Sequence, residues 1–236
     1  MQLKLSHRYN QLRVAFNLLN ECNGNIILDI GCGDGLLEQY FTDRKIIGLD
    51  ISLAALYKAK KKAPWSNYIQ ADLRSLPIKD GCIDTVTMIA VLGGVSQCEE
   101  AIAFSEAKRV LKDGGYLVIL VSQKCLPYSL LSPDRLFGGW RWRHFDVQFL
   151  QRMLMEKGFN ITKTIFAGGI LSLSMSLLNF FWSIFWRFFS RRIMGKVFVP
   201  PLPYRFLNKI EGLEFYPFRG KLQAFARFFY LVAQKI

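Results

Sequence analysis

Along the first two thirds of the chain, apolar residues recur with two alternating periods. Residues 3–22 show helical apolar spacing and predict a covering helix. Short apolar runs at 25–30, 45–50, 68–71, 83–89 and 116–122 then read as buried strands. Helical spacing fills the gaps: from about Leu36, over 52–63 with Ser52 placed as its cap, and over 99–111. Asp113-Gly114-Gly115 reads as the C-cap that stops the last of these. Such alternation builds βαβ units, and so an α/β fold whose mostly parallel sheet is covered by helices on both faces.

Beyond the fifth strand the pattern loosens. Residues 123–144 hold Pro127, Pro133, Gly138 and Gly139 and run into Trp140-Arg141-Trp142-Arg143-His144-Phe145, which predicts an irregular segment. A helix is expected over 146–157, ending at Gly158, then a strand over 159–166 and a last strand near 225–233, seven in all. The domain reading is a core over 1–166, a hydrophobic, basic insertion over 167–221, and a closing strand within 222–236.

No charge occurs between Lys163 and Arg187. The length would span a bilayer, yet Ser172, Ser176, Asn179, Ser183, Arg187 and Arg191 recur at three- and four-residue steps. That leaves one narrow polar stripe opposite a wide Leu/Phe/Trp/Ile face, with a basic exit at Arg187, Arg191, Arg192 and Lys196. A helix of this kind over 170–192 suits the membrane interface, so peripheral membrane contact is expected. A helix packed on the core, a dimer contact or a spanning helix are the other readings, and oligomeric state stays open.

Charge sharpens this division. Residues 1–122 hold 14 Lys/Arg and 13 Asp/Glu, whereas residues 123–236 hold 17 and 5. The excess lies far from the glycine loop, where nucleic acid, anionic lipid or a phosphorylated substrate could meet it. Five cysteines without a CxxC pair fit a reducing, cytoplasmic setting, and no secretory signal is visible near Lys4, His7 and Arg8. No metal-ligand cluster is evident, and no metal is predicted.

The chemistry concentrates at Ile27-Leu28-Asp29-Ile30-Gly31-Cys32-Gly33-Asp34-Gly35, and again where the second strand ends at Asp50. A buried strand that meets three alternating glycines turns sharply into a helix, which leaves backbone N–H groups facing a ligand. A carboxylate at the tip of the next strand suits ribose hydroxyls. The spacing differs from the dinucleotide fingerprint, and Asp29 and Asp34 would repel phosphates while attracting an ammonium or sulfonium group. A cofactor with a ribose, an adenine and a cationic amino-acid end fits best. The plainer readings are a tight turn for the glycines, a helix cap for Asp50, a loop acid for Asp72 and a small filler for Cys32.

Residues 28–35 resemble the first motif of class I S-adenosylmethionine-dependent methyltransferases of the ubiquinone/menaquinone small-molecule type. Gly48-Leu49-Asp50-Ile51-Ser52, residues 70–77 and residues 109–115 resemble the family's later motifs in order and spacing. The resemblance covers about residues 25–122 and implies a Rossmann-like sheet and S-adenosyl-L-methionine as cofactor. It implies cofactor contacts at Asp29, Gly31, Cys32, Gly33, Gly35, Asp50, Ile51, Asp72, Leu73 and Ala90. Asp50 would hold the ribose, Asp72 the adenine amino group, and Leu73 the ring. One departure stands out: Ala90-Val91-Leu92-Gly93-Gly94-Val95 has two glycines where such enzymes often carry a Glu-His or His-His pair.

Methyl transfer is an in-line displacement and needs a base only if the acceptor must lose a proton. His144 is the candidate for that base, and a residue leading into the next helix is its plain reading. The functional expectation is a methyltransferase acting on a small hydrophobic or lipid-linked acceptor at a membrane surface. An RNA methyltransferase is the alternative, disfavoured because residues 164–186 make a poor phosphate surface. A non-catalytic partner subunit of the same fold is the third reading.

Overall fold

A computed structural model describes residues 7–124, 143–168 and 228–236, together with the helical positions 181, 185, 189 and 192. The residues expected to form most of the irregular segment (125–142), the polar stripe (172, 176, 179, 183, 187 and 191) and the start of the last strand (225–227) lie outside these. The chain divides into two compact units. One comprises 1–14, 124–141 and 166–228; the other comprises 15–123, 142–165 and 229–236 and carries the sheet.

Helix α1 (His7–Glu21) precedes strand β1 (Ile26–Ile30), β2 (Lys45–Asp50), helix α2 (Leu53–Lys62), β3 (Asn67–Gln70) and β4 (Ile83–Ile89). Helix α3 (Gln97–Val110), β5 (Leu111–Ser122), helix α4 (Val147–Glu156), β6 (Phe159–Ala167) and β7 (Phe228–Lys235) follow. The seven strands order as β3-β2-β1-β4-β5-β7-β6, and the pairs from β3 through β5 are parallel. Strand order reverses between β1 and β4, so the carboxyl ends of β1, β2 and β4 open a crevice where ligands of such sheets bind. Beneath it the core is aliphatic, with Ile27, Leu28, Ile30, Ile46, Val86, Met88 and Leu117 all buried.

Local sequence explains the helix ends. Ser52 Oγ accepts the Ala55 N–H at 3.3 Å and starts α2. Ser96 and Glu99 form a reciprocal capping box, so α3 begins at Gln97 rather than at 99. Asp146 Oδ1 caps α4 by accepting the Phe149 N–H at 2.9 Å.

Two expectations fail. No α-helix follows the glycine loop; residues 33–37 are turns and Glu38–Tyr40 is one 3-10 turn. Only nine residues (36–44) separate Gly35 from β2, and the Glu38 side chain turns inward. The glycines at 114 and 115 do not cap α3, which already ends in the extended Leu111 paired with Ile83. They belong to a bulge in β5, where Gly114 has φ +74° and a Cβ on Gly115 would lie 2.9 Å from the Lys112 carbonyl oxygen. Among the described residues no helix is long and apolar enough to cross a membrane.

Candidate functional site

The glycine loop is built for close approach. Gly31, Gly33 and Gly35 have φ of +76°, +55° and +75°. A Cβ on Gly31 would overlap Val91, and one on Gly35 would come within 2.7 Å of the Ala59 Cβ, so these two glycines serve packing. Nothing lies within 4 Å of a Cβ on Gly33, which faces open space.

The loop's N–H groups do not form the expected ligand cradle. Those of Gly31 and Cys32 both donate to the Leu49 carbonyl, at 2.7 and 3.0 Å. Gly33 donates to Asp50 Oδ2 at 2.9 Å, and Gly35 to the Cys32 carbonyl at 3.1 Å. The reason is that the loop folds back over the end of β2, which supplies acceptors. A phosphate would therefore find these four donors engaged, in keeping with a cofactor that has none.

Asp50 is half-buried, and its second oxygen accepts the Ser52 N–H at 2.8 Å. Its carboxylate is thus fixed in orientation with lone pairs to spare for hydroxyl donors. Ile51 beside it is 67% exposed, an apolar surface at the crevice mouth. The β3 exit is tied to the same corner: Ala71 N–H donates to the Asp50 carbonyl at 3.2 Å and Gln70 Nε2 to the Ile51 carbonyl at 3.1 Å. Leu73 is half-buried there. Asp72 holds Arg74, accepting from its backbone N–H at 2.8 Å and from Nε at 2.9 Å, and these bonds keep the Asp72 carboxyl below its usual range. Arg74 also reaches Glu99 at 2.7 Å.

The two loop acids differ. Asp34 pairs with Lys62 at the surface. Asp29 is buried and accepts a 2.5 Å hydrogen bond from Thr87 Oγ1. Burial pushes the Asp29 carboxyl well up, the Thr87 bond opposes this, and the Asp50 charge adds to it. A cation arriving above Asp29 would favour its ionised form, as the ammonium end of an amino-acid cofactor would.

Sequence reasoning missed Glu38. Its carboxyl is fully buried, and neither oxygen has a hydrogen-bond partner. It occupies the volume that Gly48 leaves empty, with Oε1 2.6 Å from where a Gly48 Cβ would stand; Cys32 Sγ is 2.9 Å from the same point. Burial, then the Asp29 charge, drive the Glu38 carboxyl far upward and keep it protonated. Burial raises the Cys32 thiol too, so Cys32 fills the loop as a neutral group. The one sequence signal was a lone glycine inside an apolar strand, facing something large.

Ala90 closes the crevice on the β4 side, exposed and at φ +54°, its N–H donating to the Leu120 carbonyl at 3.0 Å. A left-handed alanine is strained, and such strain concentrates at functional sites. The turn that follows, Leu92–Gly94, is held by Arg143. Arg143 donates its N–H to the Gly93 carbonyl at 3.0 Å and Nη1 to the Val95 carbonyl at 3.0 Å. It also pairs with the fully buried Glu100 at 2.5 Å. Phe145 N–H donates to the Ser122 carbonyl at 2.8 Å. His144 is therefore strung, half-buried, between the carboxyl end of β5 and the Gly93-Gly94 turn. The structure thus gathers the loop, Asp29, Asp50, Ile51 and Ala90 around one crevice. Asp72 and Leu73 lie at its β3 edge, and His144 at its β5 edge.

A family model described as a methyltransferase domain matches residues 28–119. An uncharacterized methyltransferase of Synechocystis sp. is 28% identical over 166 residues, covering 66% of this chain and 77% of that protein. A malonyl-(acyl-carrier protein) O-methyltransferase of Hamiltonella defensa is 32% identical over 127 residues, covering 49% of this chain, and the chain spans only 48% of it. Among solved structures, the magnesium protoporphyrin IX methyltransferase of Synechocystis, with bound S-adenosylhomocysteine, shares the fold at a TM-score of 0.60 and 18% identity. That match covers 97% of this chain and 83% of the other.

Proposed function

We propose that the domain over residues 28–119, which matches the methyltransferase family model, uses S-adenosylmethionine as a class I methyltransferase does, and that the protein methylates a small hydrophobic or lipid-linked acceptor at a membrane surface. The observation that carries this reading is an exposed aromatic ladder. Phe181, Phe185 and Phe189 stand at four-residue steps on helical backbone, 62%, 56% and 39% exposed, with the last two rings stacked at 5.6 Å. Arg192, also exposed, follows on the same face. Aromatic side chains beside a cation suit the boundary between headgroups and acyl chains. Among the similar proteins, one is named for a malonyl group borne on acyl-carrier protein and another for magnesium protoporphyrin IX, so a carrier-linked acceptor and a large ring acceptor both occur on this fold.

In this reading Asp50 takes the ribose hydroxyls of S-adenosylmethionine, and Ile51 and Leu73 flank the adenine, with Asp72 near its amino group. The Gly31–Gly35 loop, with Asp29 beneath it, takes the methionine end. Bound there, S-adenosylmethionine would supply a sulfonium methyl carbon for in-line displacement, with S-adenosylhomocysteine as the leaving group. The protein's part is alignment and exclusion of water. His144, at the β5 edge, receives the proton when the acceptor is a hydroxyl or a protonated nitrogen.

The test supplies methyl-labelled S-adenosylmethionine to a cell extract and splits the products into lipid, small polar and RNA fractions, with Asp50→Ala as the inactive control. Label in the lipid fraction, together with co-sedimentation on vesicles containing anionic lipid, is expected. Label in RNA alone, or no turnover in any fraction, would overturn the reading.

A further inference from the structure

At the opposite end of the strands from the glycine loop, a cavity of about 520 Å³ opens beside the start of β4. Four cations line it, Lys108, Arg109, Lys157 and Lys235, together with Ser105 and Asp80. They come from three elements: the last turns of α3, the C-cap of α4 and the end of β7.

Two of the four are neutralised. Arg109 binds Glu106 at 2.8 Å and Asp80 at 2.5 Å. Lys235 Nζ donates to the Leu111 carbonyl at 2.8 Å and lies 3.1 Å from Asp113. The other two are not. Lys157 Nζ donates to Ser105 Oγ at 3.0 Å and meets no carboxylate among the described residues. Lys108 makes no ion pair or side-chain hydrogen bond among the described residues, and its Nζ lies over Gly158, which has φ +79° and no Cβ to obstruct it.

Two ammonium groups thus line one cavity without a carboxylate partner among the described residues, Lys157 on the Ser105 hydroxyl and Lys108 over Gly158, and like charges gathered in this way repel when the cavity is empty. The carbonyl ends of α3 and α4 offset part of that cost, but each offers only a fraction of a charge. A tetrahedral oxyanion matches what is left over. It brings nearly two negative charges for the two ammonium groups and acceptor oxygens for Nζ of both lysines, and the Ser105 hydroxyl, whose hydrogen goes to the Ala101 carbonyl at 3.0 Å, would turn toward it. The cavity leaves room for a group esterified to such an anion.

We infer that this cavity is a second binding site, for the phosphate of a phosphomonoester. Lys108, Lys157 and Ser105 form its contacts, and it is separate from the methyl-transfer crevice.

Calorimetric titration in phosphate-free buffer, with glycerol 3-phosphate as the soluble probe, tests the inference. Sedimentation with phosphatidylcholine vesicles, with and without phosphatidic acid, supplies the lipid-borne form of the same group. Lys108→Ala/Lys157→Ala is compared with Lys58→Ala/Lys61→Ala, which removes equal charge from exposed positions on α2. Saturable binding weakened by about tenfold or more in the first variant and unchanged in the second supports the site. If glycerol 3-phosphate binds, the ligand is soluble; if only phosphatidic acid vesicles bind with that dependence, the ligand is a lipid headgroup. No saturable binding of either probe, or equal weakening in both variants, would overturn the inference. Ser105→Ala, a conservative change at an exposed position, is expected to weaken binding without altering the far-ultraviolet circular dichroism.

Discussion

Asp50 and Gly33 are joined by a 2.9 Å hydrogen bond across 17 residues of chain, so the tip of β2 holds the middle of the glycine loop. The same carboxylate is the proposed ribose acceptor. Asp50→Ala is expected to weaken S-adenosylhomocysteine binding by at least about tenfold, the scale of a lost hydrogen bond to a charged group. Titration calorimetry reads the affinity, and an affinity within twofold of the parent would remove Asp50 from the site.

The three loop glycines should separate by what surrounds them. Gly35→Ala places a methyl group 2.7 Å from Ala59 in a backbone conformation hostile to side chains, at an expected cost of about 3 kcal/mol. Gly33→Ala meets no neighbour and carries only backbone strain, about 1 kcal/mol. Chemical denaturation should therefore rank Gly35→Ala as clearly the less stable, while Gly33→Ala folds and loses cofactor affinity.

Glu38 predicts a pH dependence of stability. Its folded-state proton affinity is raised by burial, so the folded protein keeps a proton that the unfolded chain releases above its ordinary value of 4.5. Stability from this group is complete below that value and declines as pH rises. Glu38→Gln keeps the volume and removes the titration. Melting temperatures from pH 5 to 9 should fall less steeply for the variant than for the parent; parallel curves would count against a protonated Glu38.

Arg143→Ala should destabilise the protein by about 2 kcal/mol, because Glu100 is left fully buried without its cation. Arg143 is about a third exposed, and the figure is set below that of a buried pair for this reason. Burial already raises the Glu100 carboxyl to about 7, with Arg143 opposing. Without the guanidinium the value climbs further, so the variant should lose stability more steeply than the parent as pH rises through 5 to 8. Arg143→Ala/Glu100→Gln should recover most of the loss.

Strand alternation and the loop made the sheet legible before any coordinates, because Ile83–Ile89 and Lys45–Asp50 are apolar runs bounded by polar breaks. The candidate residues were legible for the same reason: Gly31, Asp50 and Ala90 each sit at a strand's carboxyl end, which the pattern locates. What escaped was long-range. That the loop N–H groups turn back to Leu49 and Asp50, and that Arg143 clamps the Gly93 turn to Glu100, depends on residues 17 to 50 positions apart. The missing helix after Gly35 escaped because Leu36, Leu37, Tyr40 and Phe41 recur at four-residue steps, while the inward turn of Glu38 leaves no trace in the pattern.

The pairing of Glu38 with Gly48 ties two positions into a single volume. A Cβ at 48 would meet the Glu38 carboxyl at 2.6 Å, Tyr68 Cδ1 at 2.8 Å and Cys32 Sγ at 2.9 Å, so three side chains share the space the glycine leaves. The Glu38 carboxyl therefore sits where the strand lacks a side chain, packed beside Tyr68 and Cys32. A side chain at 48 should be resisted even when Glu38 is shortened, because Tyr68 and Cys32 still close the space.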